Sequence, residues 1–150
     1  TAIHSWTDLV KLCAKSGTVN TSMLPEEAQE RLLALLDRSS LFEAGLTDPC
    51  SSEGLASLST SMVLGSEIIW ETAMLETFAL STFFFQMNGF QWTQRHGWVE
   101  QGDYCLWHGL GCIDNGLVGQ ITLEDNRLNG TMTEVLFILS SMSSLSLASN

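Results

Sequence analysis

Basic residues are scarce: 6 lysines and arginines stand against 17 aspartates and glutamates, a formal net charge of −11. A nucleic-acid backbone or an anionic membrane surface would repel such a chain. No apolar run reaches the roughly 18 residues of a membrane helix. The nearest, residues 78–90, is too short and is preceded by Glu67, Glu71 and Glu76. The chain has no G-x-S-x-G elbow, no H-E-x-x-H pair and no phosphate-cradling glycine loop. No enzyme, no cofactor and no metal site is therefore expected. His4 and His96 are isolated. Asp103, Asp114, Glu124 and Asp125 lack the odd-position spacing of a calcium loop and read as a solvated acidic face. Neither an initiator Met nor a signal-peptide pattern opens the chain, so Thr1 is expected to lie inside a longer translated product.

What is present is a 45% apolar composition over 150 residues, ample for one packed domain or one domain and part of another. The most ordered stretch runs from Cys105 to Asn150. Val118, Ile121, Leu123, Asn126 and Leu128 fill the pattern L-x-x-L-x-L-x-x-N-x-L. It restarts 24 residues later with Met142, Leu145, Leu147 and Asn150. A fixed period of this length marks a solenoid. Alternation turns Ile121 and Leu123 inward and Gln120, Thr122 and Glu124 outward. Asn126 and Asn150 sit where each strand turns, and an Asn side chain can bond both N–H and C=O groups there.

These residues resemble the N-terminal cap and first repeats of plant-type leucine-rich-repeat proteins. Gly130, Leu136 and Leu139 fall in register with that family's repeat, although Met132-Thr133 stands where it usually has Ile-Pro. Cys105, Trp107, Gly109, Leu110 and Cys112 resemble its C-x-W-x-G-V-x-C cap. Asn88-Gly89-Phe90-Gln91-Trp92 and Gly97-Trp98-Val99 are similar to the cap of algal, diatom-like members. The fold this implies is an α-helical cap over residues 1–116 leading into a parallel α/β solenoid over 117–150, with one complete repeat and the opening strand of a second.

The resemblance implies an extracellular or cell-surface module, non-catalytic, that binds protein or peptide ligands, or glycan. Its concave face would present Gln120, Thr122 and Glu124, then Ser144, Ser146 and Ala148. Two alternatives stand beside it: an assembly subunit whose open edge is covered by a partner chain, and a secreted enzyme inhibitor. The resemblance also implies a Cys105–Cys112 disulfide, worth about 2–3 kcal/mol in the chain-entropy account, and an oxidising compartment. That pairing displaces the reading of Cys105, His108 and Cys112 as three zinc ligands, which lack a fourth. Cys13 and Cys50 are left open as a second pair, since spacing alone cannot fix geometry. Asn20 and Asn129 head glycosylation sequons.

Upstream, Ser5 and Gly17 bracket an expected helix with Trp6, Leu9, Val10 and Cys13 on one face. Pro25-Glu26-Glu27 opens a second, with Ala28, Leu32, Leu35 and Leu36 as its stripe. Residues 44–65, rich in Gly, Ser and Thr around Asp48-Pro49, read as a loop or short turns. Ser66 is the expected cap of a long helix over residues 67–87, apolar most of the way round and hence buried. Trp92, Trp98, Tyr104 and Trp107 then crowd together, read as packing between helix and repeat rather than as a sugar platform.

Overall fold

Ser5 and Gly17 do bracket the first helix, α1 (Trp6–Ser16). The Ser5 hydroxyl accepts from the Asp8 N–H, and Gly17, at φ 71, makes the left-handed turn that ends it. The computed structural model describes residues 3–17, 19–64 and 71–150. Helix α2 (Glu26–Arg38) follows Pro25, with Glu26 and Glu27 in its first turn and Ala28, Leu32 and Leu35 buried. Acids at that end oppose the helix dipole.

Residues 44–65 differ from the expected loop. A 3₁₀ turn, Ser40–Glu43, runs into a short helix α3 (Ala44–Thr47), and Ser51 caps a full helix α4 (Ser52–Val63). Ser and Thr are weak helix formers because their hydroxyls compete for backbone groups. Here the competition is turned inward. Ser57, Ser59 and Ser61 donate to the carbonyls of Glu53, Ala56 and Leu58 at 2.9, 3.2 and 2.6 Å, so α4 can be buried without orphaning them. Small residues also let the chain approach closely. A Cβ on Gly54 would lie 2.0 Å from the Asp48 carbonyl oxygen.

Helix α5 (Glu71–Gln86) packs along α4 and is buried over most of its length, including Met74, Phe78, Phe83 and Phe84. The expected cap Ser66 and first-turn residues Ile68 and Trp70 lie outside the described residues. No helix among the described residues is long and apolar enough to cross a membrane.

Three strands follow: β1 (Leu110–Cys112), β2 (Val118–Thr122) and β3 (Ser144–Ser146). β2 lies in the middle, antiparallel to β1 and parallel to β3. This overturns the expected solenoid. About 52% of the described residues are helical, and the small mixed sheet is not the start of a leucine-rich-repeat array. A solenoid stacks one parallel strand per repeat, whereas β2 has an antiparallel neighbour on one side and a three-residue strand on the other. The spacing seen in the sequence does set the register, with Gln120 opposite Ser144 and Ile121 opposite Leu145, but it describes a single strand pair. Position 116/117 falls in the turn between β1 and β2, and the largest core cluster takes residues from both sides of it.

The aromatic residues form that seam. Trp98 lies 5.0 Å from Trp92, 5.2 Å from Trp107 and 6.0 Å from Phe84, ring centre to centre. Trp92, Trp98 and Trp107 are buried, and their indole N–H groups donate to the carbonyls of Met87, His108 and Gln101. Buried rings with satisfied donors pack; they do not present a platform to a sugar.

Candidate functional site

Alternation along β2 exposes Gln120 and Thr122 and buries Ile121, with Leu123 buried and Glu124 exposed beyond the strand. Pairing with β3 brings Ser144 beside Gln120 and Ser146 beside Thr122, so these side chains share one face. Ser144 is exposed. Ser146 is half-buried, its hydroxyl bonded to the Glu124 carboxylate. Ala148 lies past the end of β3 and contributes its carbonyl, which accepts from the Asp125 N–H at 3.0 Å. Gly111 on β1 completes the face from the other side. A Cβ there would come within 2.7 Å of Gln120 Cγ, so the glycine lets the Gln120 side chain lie across β1.

Two asparagines hold the ends of this face. Asn126 is 2% exposed. Its Oδ1 accepts from the Gln94 N–H at 2.7 Å and its Nδ2 donates to the Gln94 carbonyl at 2.8 Å. Asn150 does the same one layer on: Oδ1 accepts from the N–H groups of Asn126 and Leu128, and Nδ2 donates to the Leu123 carbonyl. Asn126→Ala leaves both Gln94 backbone groups without a partner, so a loss of about 2 kcal/mol in unfolding free energy is expected. Urea denaturation reads it directly, and an unchanged midpoint would mean that solvent replaces Asn126 at no cost.

The opposite surface of the sheet holds what the repeat pattern hid. Ile121 and Leu145 are partners in register, yet Ile121 is fully buried while Leu145 is 40% exposed. Ile121 is flanked by β1 and β3, whereas among the described residues no strand lies on the far side of β3. On the crossover into β3, Phe137 is 82% exposed in the 3₁₀ turn Glu134–Ile138. In the sequence Leu145 looks like any inward residue. Only the short length of β3 distinguishes it.

The remaining candidates are placed as follows. Cys105 is bonded to Cys112, tying the 3₁₀ turn Tyr104–Leu106 to the end of β1. Cys13 is bonded to Cys50, joining α1 to the loop before α4. Both sulfurs of the zinc reading are thereby occupied, and among the described residues no cluster of His, Cys, Asp or Glu is arranged for a metal. Asn20 and Asn129 are exposed; the Asn20 Oδ1 accepts from the Ser22 N–H, within its own sequon. No family model, curated protein or solved structure matches the chain.

Proposed function

We propose that the chain is a non-catalytic, extracellular recognition module that takes an extended segment of a partner protein along the free edge of β3. The observation that carries this is Leu145, an inward-facing strand residue that is 40% exposed, with no strand beyond β3 among the described residues. A strand edge offers backbone N–H and C=O groups in register, and strand addition is a recurrent mode of peptide capture. Leu145 supplies an apolar contact on one side of such a strand, and Ser144 and Ser146 offer polar contacts on the other. With Glu124 and Asp125 exposed at the end of the strand pair and a net charge of −11, the segment that fits alternates apolar and basic residues. Two disulfides suit an oxidising compartment.

Selection of random linear peptides on the immobilised chain tests this. Peptides alternating apolar residues with Lys or Arg are expected to be enriched. Leu145→Asp with Phe137→Asp should weaken their binding by about tenfold or more, as removal of an anchoring side chain does. Gln120→Ala with Thr122→Ala should change it little. The reverse ranking would move the ligand to the polar face, and peptides indifferent to both sets would remove the sheet from the site altogether. A second reading, a stable assembly with another chain, is favoured by Phe137, 82% exposed on the crossover into β3. The mass of the native particle in solution separates the two.

A further inference from the structure

Helix α5 carries one acid inside its buried stretch. Glu76 is fully buried, between Met74, Thr77 and Phe78. Its Oε1 accepts from the Val118 N–H at 2.8 Å and lies 3.1 Å from the Tyr104 hydroxyl oxygen. That hydroxyl lies 3.0 Å from the Gly116 carbonyl oxygen. Oε2 has no partner. A buried charge without a counter-charge is costly, and the group neutralises instead.

We infer that Glu76 is held as the neutral acid and serves as a protonation clasp between α5 and the β1–β2 hairpin, closed when protonated and released on ionisation. Counting protons gives the reason. Tyr104 has one hydroxyl proton and two oxygen neighbours, the Glu76 carboxyl and the Gly116 carbonyl. If Glu76 is ionised, both neighbours are acceptors only, one of them is poorly served, and Oε2 is a bare charge in the core. If Glu76 carries a proton on Oε1, it donates to Tyr104, Tyr104 donates to Gly116, and Oε1 still accepts from Val118. Every contact then has a donor, and Oε2 is an uncharged carbonyl.

The surroundings agree. The charged and titratable side chains on neighbouring elements are Glu71 on α5, Glu53 on α4, Asp103 beside Tyr104, Asp114 in the β1–β2 turn and Glu134 on the crossover. Arg95, His96, Glu100 and His108 lie on the segment before β1, and Tyr104 and Val118 hydrogen-bond to the carboxyl. Burial pushes the Glu76 carboxyl above its ordinary value of 4.5, with the Val118 and Tyr104 hydrogen bonds pulling the other way. Burial is also the largest cause that pushes the Tyr104 hydroxyl up. An open pocket of about 580 Å³, lined in part by Tyr104, Gly116 and Ala73, brings solvent to within one hydrogen bond of the acid. The clasp holds the start of β2, the strand that displays Gln120 and Thr122.

A carboxyl raised in the folded state takes up a proton on folding. Its stabilisation is complete below 4.5 and is lost as pH rises through the folded value. Over that window the unfolding constant should climb about tenfold per pH unit relative to a chain lacking the group. The test compares urea unfolding of wild type and E76Q, disulfides intact, from pH 4 to 9. Gln keeps the shape and the neutral charge, so E76Q should be insensitive in the window where wild type weakens, and the two curves should diverge as pH rises. Parallel curves would overturn the proposal. Should E76Q not fold, the wild-type carboxyl is followed by carbon NMR: Glu76 titrating above every other glutamate supports the clasp, and Glu76 titrating among them overturns it.

Discussion

Replacing Trp98 with alanine is expected to lower the unfolding free energy by about 3–5 kcal/mol, the range for truncating a fully buried aromatic residue. Trp98 has no exposed surface and stands at the centre of the aromatic seam, against Phe83, Phe84, Trp92 and Trp107. Three costs combine. The apolar area returns to water. A cavity opens among rings held on three separate segments, α5, the loop through Trp92 and the turn before β1, none of which can move inward without dragging the others. The His108 carbonyl also loses its indole donor at 2.8 Å. Typical domains have only about 5–15 kcal/mol in total, so Trp98→Ala should leave the chain close to unfolding at room temperature. Phe90→Ala, at a ring already 39% exposed, is the control and should cost far less. Chemical denaturation followed by circular dichroism reads both. A Trp98→Ala loss no larger than that of Phe90→Ala would mean that the helices and the sheet are stabilised separately and the seam joins them only loosely.

That seam also shows which parts of the fold were legible. Ser5, Gly17 and Pro25 fix helix ends through local hydrogen bonds and backbone angles, which depend on few neighbours. The sequence therefore announces α1 and α2. Helix α4 is the opposite case. Its serines Ser57, Ser59 and Ser61 favour the helix only once neighbours exclude water and their hydroxyls fold back on the helix's own carbonyls, and that information lies in other elements. The spacing from Val118 to Asn150 was real, since it set the register of β2 against β3 and placed Asn150 under Asn126. It could not say how many such pairs exist, and β1, three residues around a glycine, has too little pattern to reveal its antiparallel course. The polar face was legible for the same reason as the register, because alternation alone puts Gln120 and Thr122 together. The exposed edge and the buried acid were not. Leu145 reads as core, yet among the described residues no strand lies beyond β3. Glu76 is the only charged residue between Thr72 and Gln86, a signal that was present but read as part of a polar flank.

The two disulfides should differ in weight, and the larger effect belongs to Cys13–Cys50. It spans a separation of 37 residues, against 7 for Cys105–Cys112. In the chain-entropy account the longer loop restricts the unfolded chain by about 4 kcal/mol and the shorter by about 2–3 kcal/mol. Position sharpens the contrast. Cys13–Cys50 fastens α1 to the loop before α4, and α1 otherwise rests on a modest contact with α4 through Leu9 and its neighbours. Cys105–Cys112 closes a turn already held by the Asp103 side chain on the Cys105 N–H and by pairing of β1 with β2. Cys13→Ala with Cys50→Ala is therefore expected to lower the urea midpoint about one and a half times as far as Cys105→Ala with Cys112→Ala. Hydrogen exchange should show the first loss concentrated in α1 and the residues facing it, with β2 still protected. If the short-loop pair proves the costlier, the turn before β1 is strained without its bridge. The sheet face would then owe its shape to Cys105–Cys112 rather than to the strand pairing and asparagine bonds that hold it here.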